Sequence, residues 1–395
     1  MIIMDLKLDN LKAFHHFHMN MAYPKKVVNS SIPEEHLSHH PNFRYKKLNI
    51  ILGANATGKT SIGILLRDIF GFISKKSYGQ LVSNIADRRS PAMFQIDFIP
   101  DGTYELYRLK TVFEASENGY FTNEMIHASV GSVTIHTDDN YERCASRLEK
   151  LPSQNLLWNV ALEKIPAFAW YLTRPDSAAF VNLQNKANKN YLKIFDTTLK
   201  AIDPSIVKVE AIPGTDASYL IKLKNTDILI QQGEILKPEL LSSGTRAGID
   251  IADMMAWVIN QWSAFFYCDE KFSYMYTDIE KAFLAVMVEK LPSDGQIFFT
   301  THNLDILDMP YPKHSFTFLK KDVNQPDKPI SCIYASDFLK RNTDSLRNAV
   351  ENDLFSAAPS VDKVYELADF TKDDRLRKII AISLRGRMKR KSSIP

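Results

Sequence analysis

The run Gly53-Ala54-Asn55-Ala56-Thr57-Gly58-Lys59-Thr60-Ser61 fits G-x-x-x-x-G-K-[ST], a spacing that holds phosphate. Its glycines let backbone N–H groups approach phosphate oxygens, and the helix N-terminus that follows adds positive potential. Lys59 is placed for the β- and γ-phosphates of a nucleotide, and Thr60 offers a hydroxyl to Mg²⁺. Asp269 and Glu270 end a later apolar run. Asp269 suits Mg²⁺, directly or through water, and Glu270 suits the polarising of an attacking water as general base. His302 closes the next apolar run, where an imidazole can contact the γ-phosphate and orient the water. Ser242-Ser243-Gly244-Thr245 opens a long apolar-periodic segment and makes a good helix N-cap.

Each group also has a plainer reading: a glycine loop capping a helix, a solvated Asp-Glu turn, an ordinary strand-end histidine. The elements around them favour the chemical one. Leu48–Leu52 reads as a buried strand running into the phosphate loop. Ile62, Leu65, Leu66, Ile69 and Phe70 put one apolar face on a helix over Ser61–Phe72. The order of phosphate loop, Ser-Ser-Gly-Thr turn, Asp-Glu and His along the chain supports the rest.

Further elements follow from periodicity and turn residues. Leu6–Phe14 alternates as a strand, and 21–44 is a polar, proline-bearing loop. Met93–Ile99, Tyr104–Phe113, Gly119–Ile126 and Ser132–Ile135 read as short strands of an antiparallel sheet, with a turn at Pro100-Asp101-Gly102. Residues 140–202 read as mainly helical, most clearly Asn190–Ala201, which stops before Asp203-Pro204. Strands are expected at Ile206–Ala211, Tyr219–Lys224 and Ile228–Gln231. A helix over Arg246–Trp262, a buried strand over Ala264–Cys268, a helix over Glu280–Leu291 and a buried strand over Gln296–Thr300 come next. Ser315–Leu319 and Ile330–Tyr334 are further strands, and helices run from about Asp344 onward. There is no internal repeat.

This pattern resembles ABC-type ATPases of the branch that holds RecF, the SMC proteins and the zinc-hook repair ATPases. It is more similar still to the OLD-like AAA-type ATPases of bacterial anti-phage and abortive-infection systems. The resemblance covers most of the chain. It is carried by LKLDNLKAF at the start, GANATGKTS, IDPSIVKVEAI, LLSSGT, FFYCDE and FFTTHN. It implies an α/β P-loop NTPase with an ABC-type head: a mixed central sheet, an antiparallel β subdomain and a helical subdomain. It implies ATP and Mg²⁺ as ligands, Gly53 to Ser61 with Asp269, Glu270 and His302 acting in one chain, and a head-to-tail dimer. Ser242, Ser243, Gly244 and Thr245 would then form the signature that meets the γ-phosphate held by the partner. Four segments are expected: an N-terminal ATPase lobe over 1–139, an insertion over 140–235, a C-terminal ATPase lobe over 236–340 and a basic helical tail over 341–395.

The chain departs from the pattern in places. Ser243 and Thr245 stand where transporter ATPases carry glycine and glutamine. Gln95 and Glu124 are the two candidates for the glutamine-loop residue. Tyr274-Met275-Tyr276-Thr277 replaces the Ser-Leu-His-Pro-like loop expected after Asp269-Glu270. The span between phosphate loop and signature is too short and strand-rich for a long coiled-coil arm and has no C-x-x-C hook. About 93 residues follow His302, without an Asp-x-Asp motif, so the chain is not expected to cut nucleic acid itself.

Composition is that of an ordinary globular protein, at 395 residues, 45% hydrophobic and 24% charged. Cys144, Cys268 and Cys332 fit no zinc or disulfide spacing, no apolar run is long enough for a membrane span, and the N-terminus lacks a secretory pattern. A cytoplasmic protein is the expectation. Net charge is +3, yet eight basic residues and no acidic ones lie between Arg375 and Lys391. Such a run is either a grip on nucleic acid or a solvated tail. His15, His16 and His18 read as a strand edge on which His16 and His18 share a face, either as metal ligands or solvated. Tyr45 is open to stacking on adenine or to core packing. The leading reading is a dimeric ATPase whose nucleotide state gates a separately encoded effector, a nuclease or toxin, in an anti-phage system such as PARIS or Septu. The alternatives are a RecF-like clamp that binds DNA itself and the ATP-binding subunit of a transporter.

Overall fold

The computed structural model describes residues 1–355 except 27–29, 153–155, 175–188, 216–217, 323, 326, 328 and 342–343, together with Val364. Along the chain, β1 (Ile2–Asp9), β2 (Phe17–Asn20), β3 (His36–Leu37), β4 (His40–Arg44) and β5 (Leu48–Leu52) precede α1 (Lys59–Lys75) and α2 (Gly79–Ser83). Then come β6 (Ala92–Ile99), β7 (Glu105–Phe113), β8 (Ile126–Thr134), α3 (Tyr141–Glu149), β9 (Leu156–Leu157), α4 (Trp158–Leu162) and β10 (Trp170–Thr173). The middle of the chain forms α5 (Lys189–Ile202), β11 (Ile206–Ala211), β12 (Tyr219–Leu223), β13 (Asp227–Gln231) and β14 (Glu234–Ile235). The remainder is α6 (Ser243–Ile259), β15 (Phe265–Asp269), α7 (Thr277–Lys290), β16 (Gln296–Thr300), β17 (Phe316–Lys321), β18 (Ile330–Tyr334), α8 (Ala335–Phe338) and α9 (Leu346–Glu351).

The central sheet has the order β10-β15-β16-β5-β17-β18, parallel except for β18 at its edge. Its strands read as continuous apolar runs because both faces are covered. Along β15, Phe265 and Tyr267 join α1 and a second, antiparallel sheet in one core, while Phe266 and Cys268 face α6 and α7 in another. The second sheet, β2-β1-β6-β7-β8-β9, is antiparallel and lies across α1. A third, β11-β12-β13-β14, packs with α5 on the far side of α6. Helix α6 is therefore buried on two sides, with Ile251, Met254 and Met255 toward the central sheet and Ile249, Ala252 and Ala256 toward α5.

Two polar ties join the first two sheets. Gln296, fully buried in β16, accepts from Ile3 N (2.8 Å) and donates to Ile3 O (3.0 Å) and Lys46 O (3.1 Å). Lys46 Nζ lies 3.3 Å from the centre of the Tyr334 ring and donates to Asn20 O. Burial pushes its pKa down to about 7.

The structure corrects several expectations. The first strand is Ile2–Asp9, and His15 and His16 lie in the turn after it, with His16 at φ 47°. His16 and His18 thus share no strand face: His16 meets Asp9 at 3.6 Å, and His18 meets Asp5 at 2.5 Å. No metal-binding cluster of three His, Cys, Asp or Glu side chains exists among the described residues. Tyr45 is core: fully buried, it donates to Ser293 O and Gly295 O, both at 3.2 Å, so stacking on adenine is excluded. The strands expected at Gly119–Ile126 and Ser132–Ile135 are one strand, β8, after a turn at Asn123–Met125. The mainly helical reading of 140–202 missed β10, an edge strand of the central sheet. The basic run Arg375–Lys391 lies outside the described residues. No described helix is long and apolar enough to cross a membrane.

Candidate functional site

In a parallel sheet, all strands deliver their carboxyl ends to one edge, where ligands bind. Here β5 ends in the phosphate loop, β15 in Asp269 and β16 in Thr300, with His302 just beyond. Because β16 lies between β15 and β5, the three ends are adjacent.

The loop geometry explains its glycines. A Cβ at Gly53 would lie 2.7 Å from both Leu319 O and Thr57 Oγ1. Gly58 sits at φ 99°, and a Cβ there would be 2.8 Å from the Phe14 ring. Ala56 holds φ 63°, strain of roughly 1–2 kcal/mol for an L-residue. No side chain caps α1, so its first N–H groups are left for an anion. Thr57 Oγ1 donates to Ala54 O (2.8 Å), bracing the loop from within, while Asn55 at its crest is exposed. Gly58, Lys59, Thr60 and Ser61 lead from the loop into the first turn of α1.

Lys59 is buried at 4% exposure. Its Nζ donates to Gly53 O (2.8 Å) and lies 3.4 Å from Glu270 Oε1. Burial lowers its pKa, and the Glu270 carboxylate opposes that shift. Glu270 Oε1 also meets His302 Nε2 at 2.8 Å. Lys59, Glu270 and His302, drawn from three strand ends, therefore converge on one carboxylate oxygen.

Asp269 is fully buried, and burial raises its pKa while the hydroxyls of Thr300 and Thr60 pull it down. Its Oδ1 accepts from Thr300 Oγ1 (2.6 Å); its Oδ2 is buried with no hydrogen-bond partner among the described residues. An orphaned carboxylate oxygen beside a threonine hydroxyl is a hard oxygen donor set, which fits Mg²⁺. Thr60 and Asp269 are the residues that would hold the ion.

Sequence reasoning missed the groups that aim these side chains. Thr300 Oγ1, besides donating to Asp269, accepts from Glu270 N at 3.0 Å, and Thr300 O accepts from it at 3.1 Å. That grip holds Glu270 at φ 48°, a left-handed conformation costly for glutamate. Beyond it, Glu280 takes hydrogen bonds from Thr301 Oγ1 and Asn303 Nδ2, both 2.7 Å, tying α7 to the His302 loop.

Ser242 caps α6, its Oγ accepting from Thr245 N (3.0 Å). Thr245 Oγ1 donates to Asp203 Oδ2 (2.7 Å), which links the turn to the Asp203-Pro204 corner. Ser242 and Ser243 are exposed. The Tyr274 carbonyl comes within 3.5 Å of a Cβ position at Gly244, so the Tyr274–Thr277 loop packs on this turn. No hydrogen bond or ion pair joins Ser242–Thr245 to Gly53–Ser61 among the described residues. Gln95 lies mid-strand in β6 opposite Lys7 and Lys110, and Glu124 in an exposed turn; neither bonds to the phosphate loop among the described residues.

No protein-family model and no curated protein matches the chain. Among solved structures, the SMC head bound to the C-winged helix domain of ScpA is similar at TM-score 0.50 and 12% identity, over 86% of this chain and 100% of that one. The SMC head with an extended coiled coil bound to the C-terminal domain of ScpA, from Pyrococcus furiosus, gives TM-score 0.48 and 11% identity over 86% and 98%. The SMC head domain from Thermotoga maritima gives 0.43 and 13% over 85% and 99%. The first of these shows the fold: an α/β P-loop architecture of the ABC-type head, with its mixed central sheet and antiparallel β subdomain.

Proposed function

We propose that this chain hydrolyses ATP with Mg²⁺ as a head-to-tail dimer, and that its nucleotide state controls a separately encoded effector, a nuclease or toxin, in anti-phage defence. The observation that carries the ATPase reading is the meeting of Lys59, Glu270 and His302 beside the buried Asp269, at the carboxyl edge of the sheet. Lys59 binds the terminal phosphates, Glu270 takes a proton from water, and His302 orients that water against the γ-phosphate. Mg²⁺ held by Thr60 and Asp269 would supply neutralisation of the phosphate charge.

Supporting the dimer, Ser242 and Ser243 are exposed, and the Ser242–Thr245 turn has no bond to its own phosphate loop among the described residues. Beside it Tyr274 and Tyr276 stand 65% and 85% exposed, an apolar surface suited to a second copy. The effector reading rests on the OLD-like resemblance. It agrees with an insertion that holds a 14-residue helix and a four-stranded sheet among the described residues, rather than a long arm.

A site completed in trans has a kinetic signature. Phosphate release per chain should rise with protein concentration and then level off as dimers fill. Turnover per chain that is constant from the lowest concentrations upward would show that one copy suffices.

A further inference from the structure

Tyr267 lies inside FFYCDE without a role assigned there, yet it touches the phosphate-binding helix. It lies mid-strand in β15, paired with Leu172 on one side and Phe298 on the other, and is fully buried. Its hydroxyl donates to the main-chain carbonyl of Lys59 at 2.7 Å. The Gly63 N–H bears on the same phenol oxygen. Lys59 O and Gly63 N are the acceptor and donor of one i→i+4 rung, so the hydroxyl braces the first turn of α1 from outside.

The ring fixes that position. A Cβ at Gly63 would come within 2.6 Å of Tyr267 Cε1 and 3.1 Å of Cδ1 and Cζ, so only glycine admits the ring here. Phe298 packs on the ring at 6.0 Å between centroids. Burial pushes the phenol well above its ordinary range, which keeps it a donor.

Tyr267 and Asp269 are two residues apart on one strand and so project to the same face, toward α1. Tyr267 reaches Lys59 and Asp269 reaches the hydroxyl of Thr60, the next residue. The strand that carries one Mg²⁺ ligand is thereby locked to the helix turn that carries the other.

We propose that Tyr267 is a positioning residue that sets the spacing between Asp269 and Thr60, and with it the affinity of the nucleotide site for Mg²⁺. This rests on the reading of the site as a Mg·ATP site. Loss of the hydroxyl leaves the Lys59 carbonyl with its helical rung alone and lets the first turn of α1 drift from β15. Phosphate contacts along the loop survive; the paired oxygen ligands separate.

The test is fluorescent ATP-analogue binding to wild type, Tyr267→Phe and Gly63→Ala, with Mg²⁺ and with chelator. In Tyr267→Phe, the Mg²⁺ concentration for half-maximal tightening should rise roughly fivefold, the scale of one buried hydrogen bond, with chelator affinity within about twofold of wild type. Gly63→Ala displaces the ring while keeping the hydroxyl and should shift the Mg²⁺ dependence in the same direction. Unchanged Mg²⁺ dependence overturns the proposal, as does equal weakening with and without the metal, which marks a packing role only. Failure of wild type to bind the analogue at all overturns instead the underlying Mg·ATP reading, and this proposal with it.

Discussion

Glu270→Gln should abolish ATP turnover while leaving ATP binding intact. The amide keeps the size of the side chain but cannot take a proton from water, and loss of a positioned general base typically costs about 10²–10⁴-fold. Binding should survive because the cradle of Gly53 to Ser61 is untouched. Glu270 Oε1 lies 3.4 Å from Lys59 Nζ, and removing its charge leaves Lys59 facing the phosphates with one anionic competitor fewer. ATP affinity in the variant should therefore equal or exceed that of wild type. Phosphate release measured beside nucleotide affinity decides the matter. Near-normal release would remove Glu270 from the role of base.

Asp269→Asn should also stop Mg²⁺-dependent turnover, and it should stabilise the fold. Burial raises the pKa of Asp269, so ionising this carboxylate costs more in the folded protein than in the unfolded chain. Whatever stability this group contributes is present below its unfolded pKa and is lost as pH rises through the raised folded value. Above that raised value the wild type carries the full penalty, with Oδ2 buried and unpartnered among the described residues. The asparagine variant is neutral throughout and can still accept the Thr300 hydrogen bond. Its melting temperature should exceed that of wild type by roughly 2–4 °C near neutral pH, about the shift expected for 1 kcal/mol in a large domain. The gain should shrink as the medium is acidified. A lower melting temperature at neutral pH would mean that the carboxylate is a structural asset rather than a functional strain.

The parts of the site that were legible in the sequence are local. The phosphate loop is contiguous, and Asp269-Glu270 and His302 each terminate an apolar run whose length marks a buried parallel strand. The parts that were hidden depend on pairing across the sheet. Thr300 reads as one more strand residue until β16 is set between β15 and β5, where its hydroxyl serves Asp269 and the Glu270 backbone together. Tyr267 reads as core, and only its register against α1 shows the hydroxyl on Lys59. Gly63 carried a signal, since a glycine inside a helix is costly without a close neighbour. β10 was hidden because its four residues between Pro166 and Pro175, three half-buried and one buried, carry no period of their own. His15 and His16 were misplaced because a strand pattern continued past Asp9, where the chain turns.

Mixed chains test most directly whether the catalytic site is shared between two copies. Lys59→Ala removes the phosphate lysine, and Ser242→Arg blocks the exposed cap of α6; each variant alone should be inactive. Mixed in equal amounts and shown by pull-down to co-assemble, they form dimers in which one site has both an intact Lys59 and an intact partner Ser242. Random pairing then restores roughly a quarter of wild-type phosphate release, because half the dimers carry one working site of two. A co-assembled mixture as inactive as its components would contradict the shared site.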